Sequence, residues 1–301
     1  MPSKNPVGLW LRAGVVALVT IGTSAAGAEG VTATGAAKAT AGGAASAELT
    51  VQQILERHAA ARGGAEVWHK IQTMAWTGHI ESGPGGISKH PFLLMFRRPA
   101  ATRFEILGEG QRSVRVFDGT MGWKQRPTSQ GMFEVKEYGA EEIGFARDAG
   151  GLDGPLLDSK AKGISIALEG IDSVEGHRAY HLKLTLPSGQ VRDDWLDAES
   201  FLERRYDRVT RNAVGATGIV SVYLRNYQTV NGLVMPLLIE TGRPASRDTD
   251  KMIVEKIALN PTFDNAQFTR PTIPSARRHG VTVNTQSPPA NSPPGHGRER
   301  R

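Results

Sequence analysis

The sequence holds few side chains at the spacings that catalysis or metal binding requires. His177 and His181 lie four residues apart, but no third ligand is obvious, because Glu175 falls in the turn before them. Such a pair is expected to be solvated hairpin residues rather than metal ligands. Asp193 and Asp194 are adjacent, and adjacent residues of a strand point to opposite faces, so they cannot act as an acid and base on one substrate. We expect both to lie at the surface.

Sequence motifs of the common enzyme classes are absent from the chain. It has no His-Glu-x-x-His, no Gly-x-Ser-x-Gly, no phosphate-binding loop and no Gly-x-Gly-x-x-Gly between a strand and a helix. It also has no cysteine, which excludes disulfides, thiolate zinc sites, a cysteine nucleophile and a lipid anchor on a mature N-terminal cysteine. We therefore expect a protein that is not an enzyme and that uses no cofactor and no metal.

The two ends of the chain differ from its middle. Residues 1–28 are typical of a signal peptide, with Lys4 and Arg12 beside a short apolar run and Ala26-Gly27-Ala28 as the cleavage site. This predicts a soluble periplasmic or otherwise exported protein, cleaved near Ala28. An Ala/Gly-rich flexible leader (29–48) follows, and a basic, Pro-rich disordered tail covers 274–301.

The net charge of +6 comes from these ends. Lys4 and Arg12 contribute two of the positive charges, and the five Arg and one Glu of 274–301 contribute the other four. Residues 29–273 are thus neutral. A neutral body lacks the basic surface expected of a nucleic-acid reader, so no nucleic-acid partner is expected.

The folded domain is predicted to span 49–273 and to consist mainly of strands. A first helix begins after Thr50 and stops at Gly63-Gly64, and a second short helix follows over 65–71. Alternating runs then continue, with two more short helices between Tyr138 and Gly163. The hairpin turns predicted between the strands are Gly83-Pro84-Gly85-Gly86, Asp118-Gly119, Glu175-Gly176, Ser188-Gly189 and Asn231-Gly232.

One predicted strand is apolar on both faces. Phe92, Leu94 and Phe96 share a face with Arg98, and Leu93 and Met95 share the other. Either the sheet has a packing partner on each side, or it is curved and its concave face lines a cavity for an apolar ligand.

Short pieces in order along the chain resemble the periplasmic lipoprotein carriers of the LolA type and the broader group of lipoprotein-sorting proteins. They are Ile54-Leu55 with Gly63-Gly64, Phe96-Arg97-Arg98-Pro99 followed by Arg103-Phe104-Glu105, Val116-Phe117-Asp118-Gly119 leading to Trp123 and Pro127, Gly154-Pro155-Leu156, the hairpin from Tyr180 to Asp197, and Asn260-Pro261 before Phe268. The resemblance spans residues 50–273. It implies a strongly curved antiparallel sheet, an incomplete β-barrel like that of LolA and LolB, with short helices as a lid.

The resemblance also implies a function in lipoprotein transport and outer-membrane biogenesis. Such carriers take acylated lipoproteins from an inner-membrane transporter, shield the acyl chains in an apolar cavity and pass them to an outer-membrane acceptor. Arg98 corresponds to the residue that bonds to the lid and governs its opening, although a solvated Arg at a strand end stays open as an alternative. The residues expected to line the cavity are Trp76, Phe92, Leu94, Phe96, Phe104 and Trp123.

Two other classes of function remain open on the sequence. The same half-barrel serves in envelope-stress regulators that sense lipid or lipoprotein and bind a membrane-bound partner. An enzyme that assembles its site from remote positions is the remaining alternative.

Overall fold

The computed structural model describes residues 49–83, 88–108, 111–128, 130–149, 151–211, 217–244 and 249–273. The predicted signal peptide (1–28), the leader (29–48) and the tail (274–301) lie outside these residues, so their assignments stay predictions.

Two short helices begin the domain as predicted. Helix α1 (Val51–Ala61) starts with a capping box, in which Gln53 N donates to Thr50 Oγ1 at 3.3 Å and Thr50 N donates to Gln53 Oε1 at 3.0 Å. It ends before Gly63, where φ is 101° and an added Cβ would lie 2.1 Å from the carbonyl oxygen of Gly232, so only glycine fits. Helix α2 (Ala65–His69) follows directly.

Within the described residues, thirteen strands form a single antiparallel sheet. In chain order they are β1 (Thr73–Ser82), β2 (Ser88–Arg97), β3 (Ala101–Gly108), β4 (Gln111–Phe117), β5 (Gly122–Pro127), β6 (Phe133–Glu137), β7 (Ser165–Val174), β8 (His177–Thr185), β9 (Val191–Asp197), β10 (Glu203–Arg211), β11 (Thr217–Val230), β12 (Leu233–Gly242) and β13 (Asp250–Leu259).

The strands pair almost entirely with their neighbours in sequence. Strands β1 to β6 and β7 to β13 each form a continuous meander. The predicted turns at Asp118-Gly119, Glu175-Gly176, Ser188-Gly189 and Asn231-Gly232 connect consecutive paired strands, whereas Pro84, Gly85 and Gly86 of the first predicted turn lie outside the described residues. The two meanders are joined by β1 and β13, which pair side by side in the middle of the sheet. Strands β6 and β7 are its two edges.

Helix α3 (Ala140–Asp148) shows that the sheet is strongly curved. At one end Glu142 accepts from Lys124 Nζ in β5 at 2.7 Å, and at the other Asp148 accepts from the backbone N of Ser188, between β8 and β9, at 3.1 Å. Strands β5 and β8 are ten strand spacings apart, or about 48 Å in a flat sheet, whereas a nine-residue helix is only about 13 Å long. The sheet therefore rolls into an incomplete barrel, which confirms the predicted fold class.

The prediction of a second helix between Tyr138 and Gly163 is wrong. The chain there forms a short 3-10 helix (Gly151–Asp153) and then a series of turns. Gly154 and Asp158 have φ values of 77° and 52°, which a continuing α-helix does not allow. We call residues 151–163 the lid segment.

The sheet has two covered faces. The inner face carries Phe92, Leu94 and Phe96 and packs against α2, α3 and the lid segment. The outer face carries Met95 and packs there against a C-terminal 3-10 helix, Asn265–Phe268. The predicted division of β2 into two apolar faces is thus confirmed, and each face has its own packing partner.

Candidate functional site

Five of the six residues predicted to line a cavity lie together on the inner face. Leu94 is paired with Trp76 on β1 and with Phe104 on β3. The rings of Trp76 and Phe96 meet edge to face with centroids 5.6 Å apart, and those of Phe92 and Phe104 lie 6.1 Å apart. We call the set Trp76, Phe92, Leu94, Phe96 and Phe104 the apolar patch.

Trp123 is not part of this group. Trp123 pairs with Val116, Val116 pairs with Arg103, and Arg103 pairs with Met95. Paired residues lie on the same face of a sheet, so Trp123 lies on the outer face with Met95. Alternation along β5 instead places Lys124 on the inner face, where it bonds to Glu142 of α3. The likeness to a carrier family marked Trp123 by its order in the chain, but the face of a strand residue depends on register, which only the pairing partners fix.

The apolar patch is covered by the protein's own helices. Leu94 is 0% exposed and Phe96 is 8% exposed. They belong to one buried cluster that also includes Trp68 of α2, Ala146 of α3, and Leu152 and Leu157 of the lid segment. A ligand can reach this patch only when these covering groups move away.

Arg98 joins the sheet to the covering segments. Its Nε donates to the carbonyl of Ile71 at 2.8 Å, and its guanidinium also donates to the carbonyl of Trp68 at 3.0 Å and to Asp153 Oδ2 at 2.7 Å. Arg98 therefore ties the end of β2 both to the chain around α2 and to the lid segment. Its neighbour Arg97 points elsewhere, bonding to Asn265 and lying over the ring of Phe268.

Asp153 is the central acceptor of this network, and no motif or spacing in the sequence marks it as a functional residue. Its side chain is 1% exposed and accepts from Arg98 at 2.7 Å and from Lys162 Nζ at 2.5 Å. Lys162 also donates to the carbonyls of Gly154 and Leu157, so it closes the lid segment on itself. A buried carboxylate with two cationic partners is a stable arrangement only while both remain in place.

A second region of the inner face is charged rather than apolar. Arg192 and Asp194 of β9 form a two-point ion pair, at 2.5 and 2.8 Å, and Arg192 also lies 3.3 Å from Glu203 of β10. Arg62, at the end of α1, is 4.0 Å from Glu203. Burial, opposed by Arg192 and reinforced by Glu203, raises the pKa of Asp194 to about 7. We call this set, with Arg208 of β10, the charged cluster.

The expectation that Asp193 and Asp194 both lie at the surface is wrong for Asp194. It is 0% exposed on the inner face, beside Leu182 of β8 and Tyr206 of β10. Asp193 lies on the outer face, where it bonds to His181 at 2.9 Å, and His181 stacks on Trp195. The two carboxylates do point to opposite faces, as the strand period predicts.

A polar pocket of about 270 Å³ lies where the β9–β10 turn approaches β11. None of the predicted cavity residues borders it. Its carboxylates and guanidinium groups are paired, since Arg225 bonds to Glu175 and Arg204 bonds to Asp197. The lining residues are Glu175, Ser200, Leu202, Glu203, Arg204, Leu224, Arg225, Asn226 and Tyr227.

The described residues contain neither a cluster of metal ligands nor a membrane-spanning helix. No group of three or more His, Cys, Asp or Glu side chains there is placed to hold a metal ion. None of the helices in the described ranges is both long and apolar enough to span a bilayer.

Comparison with known proteins finds distant likenesses among solved structures. No protein-family model and no curated protein matches the chain. Solved structures that it resembles include a LolA superfamily protein from Nitrosomonas europaea (13% identity, 74% of this chain, 99% of that chain, TM-score 0.48) and a DUF1329 family protein from Desulfovibrio piger (12% identity, 73% of this chain, 97% of that chain, TM-score 0.48). The MucA/MucB complex from Pseudomonas aeruginosa is more distant (14% identity, 73% of this chain, 61% of that chain, TM-score 0.24).

Proposed function

We propose that this protein is a periplasmic carrier that binds the acyl chains of a lipid or lipoprotein on the apolar patch and transfers them toward the outer membrane. The proposal is binding and transfer rather than catalysis. An inner-membrane transporter as donor and an outer-membrane acceptor are part of it, as the likeness to lipoprotein carriers suggests.

The proposal is carried by the covered apolar patch and by the hydrogen bonds at its rim. We call the bonds of Arg98 to Asp153 and to the carbonyls of Ile71 and Trp68 the latch. A folded core and a closed carrier both bury such a patch, but the cover here consists of short helices and turns tied to the sheet through Arg98 and Asp153. Burying an acyl chain of about 16 carbons is worth about 10 kcal/mol. That is enough to offset the separation of a few lid side chains and one ion pair.

The latch should set how readily the carrier opens. The side chain of Arg98 bonds to the chain around α2 and to Asp153 of the lid segment. We therefore expect Arg98→Leu to destabilise the closed state and to leave the side chains of the apolar patch in place. A hydrogen bond from a charged donor contributes about 1.5–3 kcal/mol, which corresponds to a change of about ten- to a hundredfold in the opening equilibrium. Ligand should then be accepted more readily and released more slowly.

The test compares Arg98→Leu with Arg97→Leu, its neighbour that bonds to the other side of the sheet. A fluorescent acyl-peptide is loaded onto each variant, and uptake and release to acceptor vesicles are followed by stopped flow. We expect slower release from Arg98→Leu and wild-type behaviour from Arg97→Leu. Release from Arg98→Leu at the wild-type rate and affinity would show that Arg98 does not gate the site.

The test also separates the carrier from the envelope sensor. A sensor holds its lipid as a signal and binds a membrane protein when loaded. Acyl-peptide that binds but is not released to acceptor vesicles by the wild-type protein would favour the sensor over the carrier.

A further inference from the structure

Arg208 is a cation on the inner face that has no anionic partner among the described residues. Its neighbours on that face, Tyr206 on the same strand and Val220 on β11, both pack against the apolar cluster. Across the sheet on β9 its register partner is Arg192. Two arginines thus occupy one cross-strand pair, and like charges at such a pair destabilise a sheet unless an anion compensates them. The Arg192 guanidinium extends over the ring of Tyr206, 3.6 Å from its centroid, and onto Asp194, whereas Arg208 has no such acceptor among the described residues.

The available carboxylates are committed to the other arginine. Asp194 and Glu203 both contact Arg192, and Glu203 also faces Arg62. Arg208, in contrast, forms no ion pair with any described carboxylate, and its Nε is buried without a hydrogen-bond partner there. Burial, to which Arg192 adds, lowers the pKa of Arg208.

The charged cluster therefore carries an excess positive charge. It holds the cations Arg62, Arg192 and Arg208 against the carboxylates Asp194 and Glu203. His58 adds no charge, because burial lowers its pKa. Arg208 is half-buried and its Nε is buried without a hydrogen-bond partner among the described residues. A donor buried in this way is costly, and a ligand that brings an anionic oxygen group recovers that cost on binding.

We propose that Arg208 binds the anionic group, a phosphate or carboxylate, of an acyl lipid whose chains lie on the apolar patch. The inference rests on the proposed carrier function and adds the chemistry of the ligand. Strands β10 and β2 are five strand spacings apart, about 24 Å along the curved sheet and less across its concave side. Next to Arg208, Val220 and Tyr206 pack against the same apolar cluster that contains the apolar patch, so apolar surface extends from Arg208 to the patch.

The test uses a fluorescent long-chain fatty acid and its methyl ester at about pH 8, where the acid is ionised. The two probes share one chain and differ only in the charged group. We expect wild-type protein to bind the acid about tenfold more tightly than the ester. Arg208→Gln should weaken binding of the acid until the two probes differ by less than about twofold, with the affinity for the ester unchanged.

Arg205→Gln is the matched control, because Arg205 lies on the same strand but pairs with Asp207 on the outer face. It should keep the wild-type preference for the acid. Equal binding of acid and ester by wild-type protein, or an acid preference that survives Arg208→Gln, would overturn the inference while leaving the carrier function standing.

A titration with inorganic phosphate distinguishes the source of the anion and covers the case in which neither probe binds. Phosphate that binds more weakly than the fatty acid supports a lipid head group as the natural anion. Phosphate that binds more tightly, and through Arg208, shows a site for free anions and overturns the lipid assignment. If neither the fatty acid nor the ester binds, the proposed function fails, and the lipid inference fails with it.

Discussion

The inner face of the sheet contains two regions of opposite character. The apolar patch on β1 to β3 is built from large apolar side chains in direct cross-strand contact. The charged cluster contains the buried residues Arg192, Asp194 and Glu203 and the half-buried arginines Arg62 and Arg208. The first region is stabilised by the burial of apolar surface, so an apolar ligand can replace the helices and the lid segment that cover it. The second region is stable only with matched charges, so it can discriminate between ligands.

The largest effect should come from placing a charge in the apolar patch. Phe96→Asp puts a carboxylate into a cluster that offers it no partner, and this costs several kcal/mol of unfolding free energy, on the order of 3–5 kcal/mol. Chemical denaturation followed by circular dichroism measures the loss. Thr77→Asp, at an exposed position on β1, is the control and should lower stability by less than about 1 kcal/mol.

A stability loss for Phe96→Asp no greater than that for Thr77→Asp would mean that the inner face around Phe96 is already open to water. The patch would then be a standing cavity rather than a covered one, and no lid movement would be needed for binding.

The charged cluster should make the free energy of unfolding depend on pH. The pKa of Asp194 is raised from 3.8 to about 7 in the folded protein, so between these two values the folded state holds a proton that the unfolded state has released. As a result, the contribution of Asp194 to the free energy of unfolding falls as pH rises from about 4 to about 7 and stays level above that. The loss should reach a few kcal/mol at most, about 1.4 kcal/mol per pKa unit.

Asp194→Asn removes the titrating group, so the difference in unfolding free energy between wild type and this variant should change across that pH window. A constant difference between wild type and Asp194→Asn from about pH 4 to 8 would show that Asp194 is ionised throughout and fully compensated by Arg192.

The smallest effect is expected at Trp123. Because it stands on the outer face, Trp123→Ala should leave the affinity for an acyl probe unchanged within about twofold, whereas Phe104→Ala should lower it. Titration of the two variants with a fluorescent fatty acid measures the contrast. Weaker binding by Trp123→Ala than by Phe104→Ala would place the ligand on the outer face.

Local features of this molecule could be predicted from the sequence, and long-range ones could not. The capping box at Thr50, the hairpin turn at Asn231-Gly232 and the two faces of β2 each depend on residues close in sequence. The pairing of β1 with β13 joins residues nearly two hundred positions apart, and no local signal marks it.

The candidate site divides in the same way. The shared face of Phe92, Leu94 and Phe96 could be predicted from alternation along β2, whereas Trp123 was misplaced because its face depends on the register of further strands. Asp153, Asp194 and Arg208 resemble ordinary surface residues in the sequence, since charged residues are mostly exposed. Asp153 is buried where the lid segment packs against Arg98 and Lys162, and the curvature of the sheet encloses Asp194 fully and Arg208 in part.

We expect that α3 and the lid segment must leave the inner face before an acyl chain can bind, and a reversible crosslink between α3 and the sheet tests this expectation. The chain has no cysteine, and a Cβ added at Gly144 of α3 would lie 3.6 Å from Cβ of Ser188, which suits a disulfide. In the Gly144→Cys/Ser188→Cys variant we predict that the oxidised protein excludes a fluorescent acyl probe and that the reduced protein binds it, with each single-cysteine variant indifferent to reduction. Equal uptake of the probe by the oxidised and reduced forms would contradict the account.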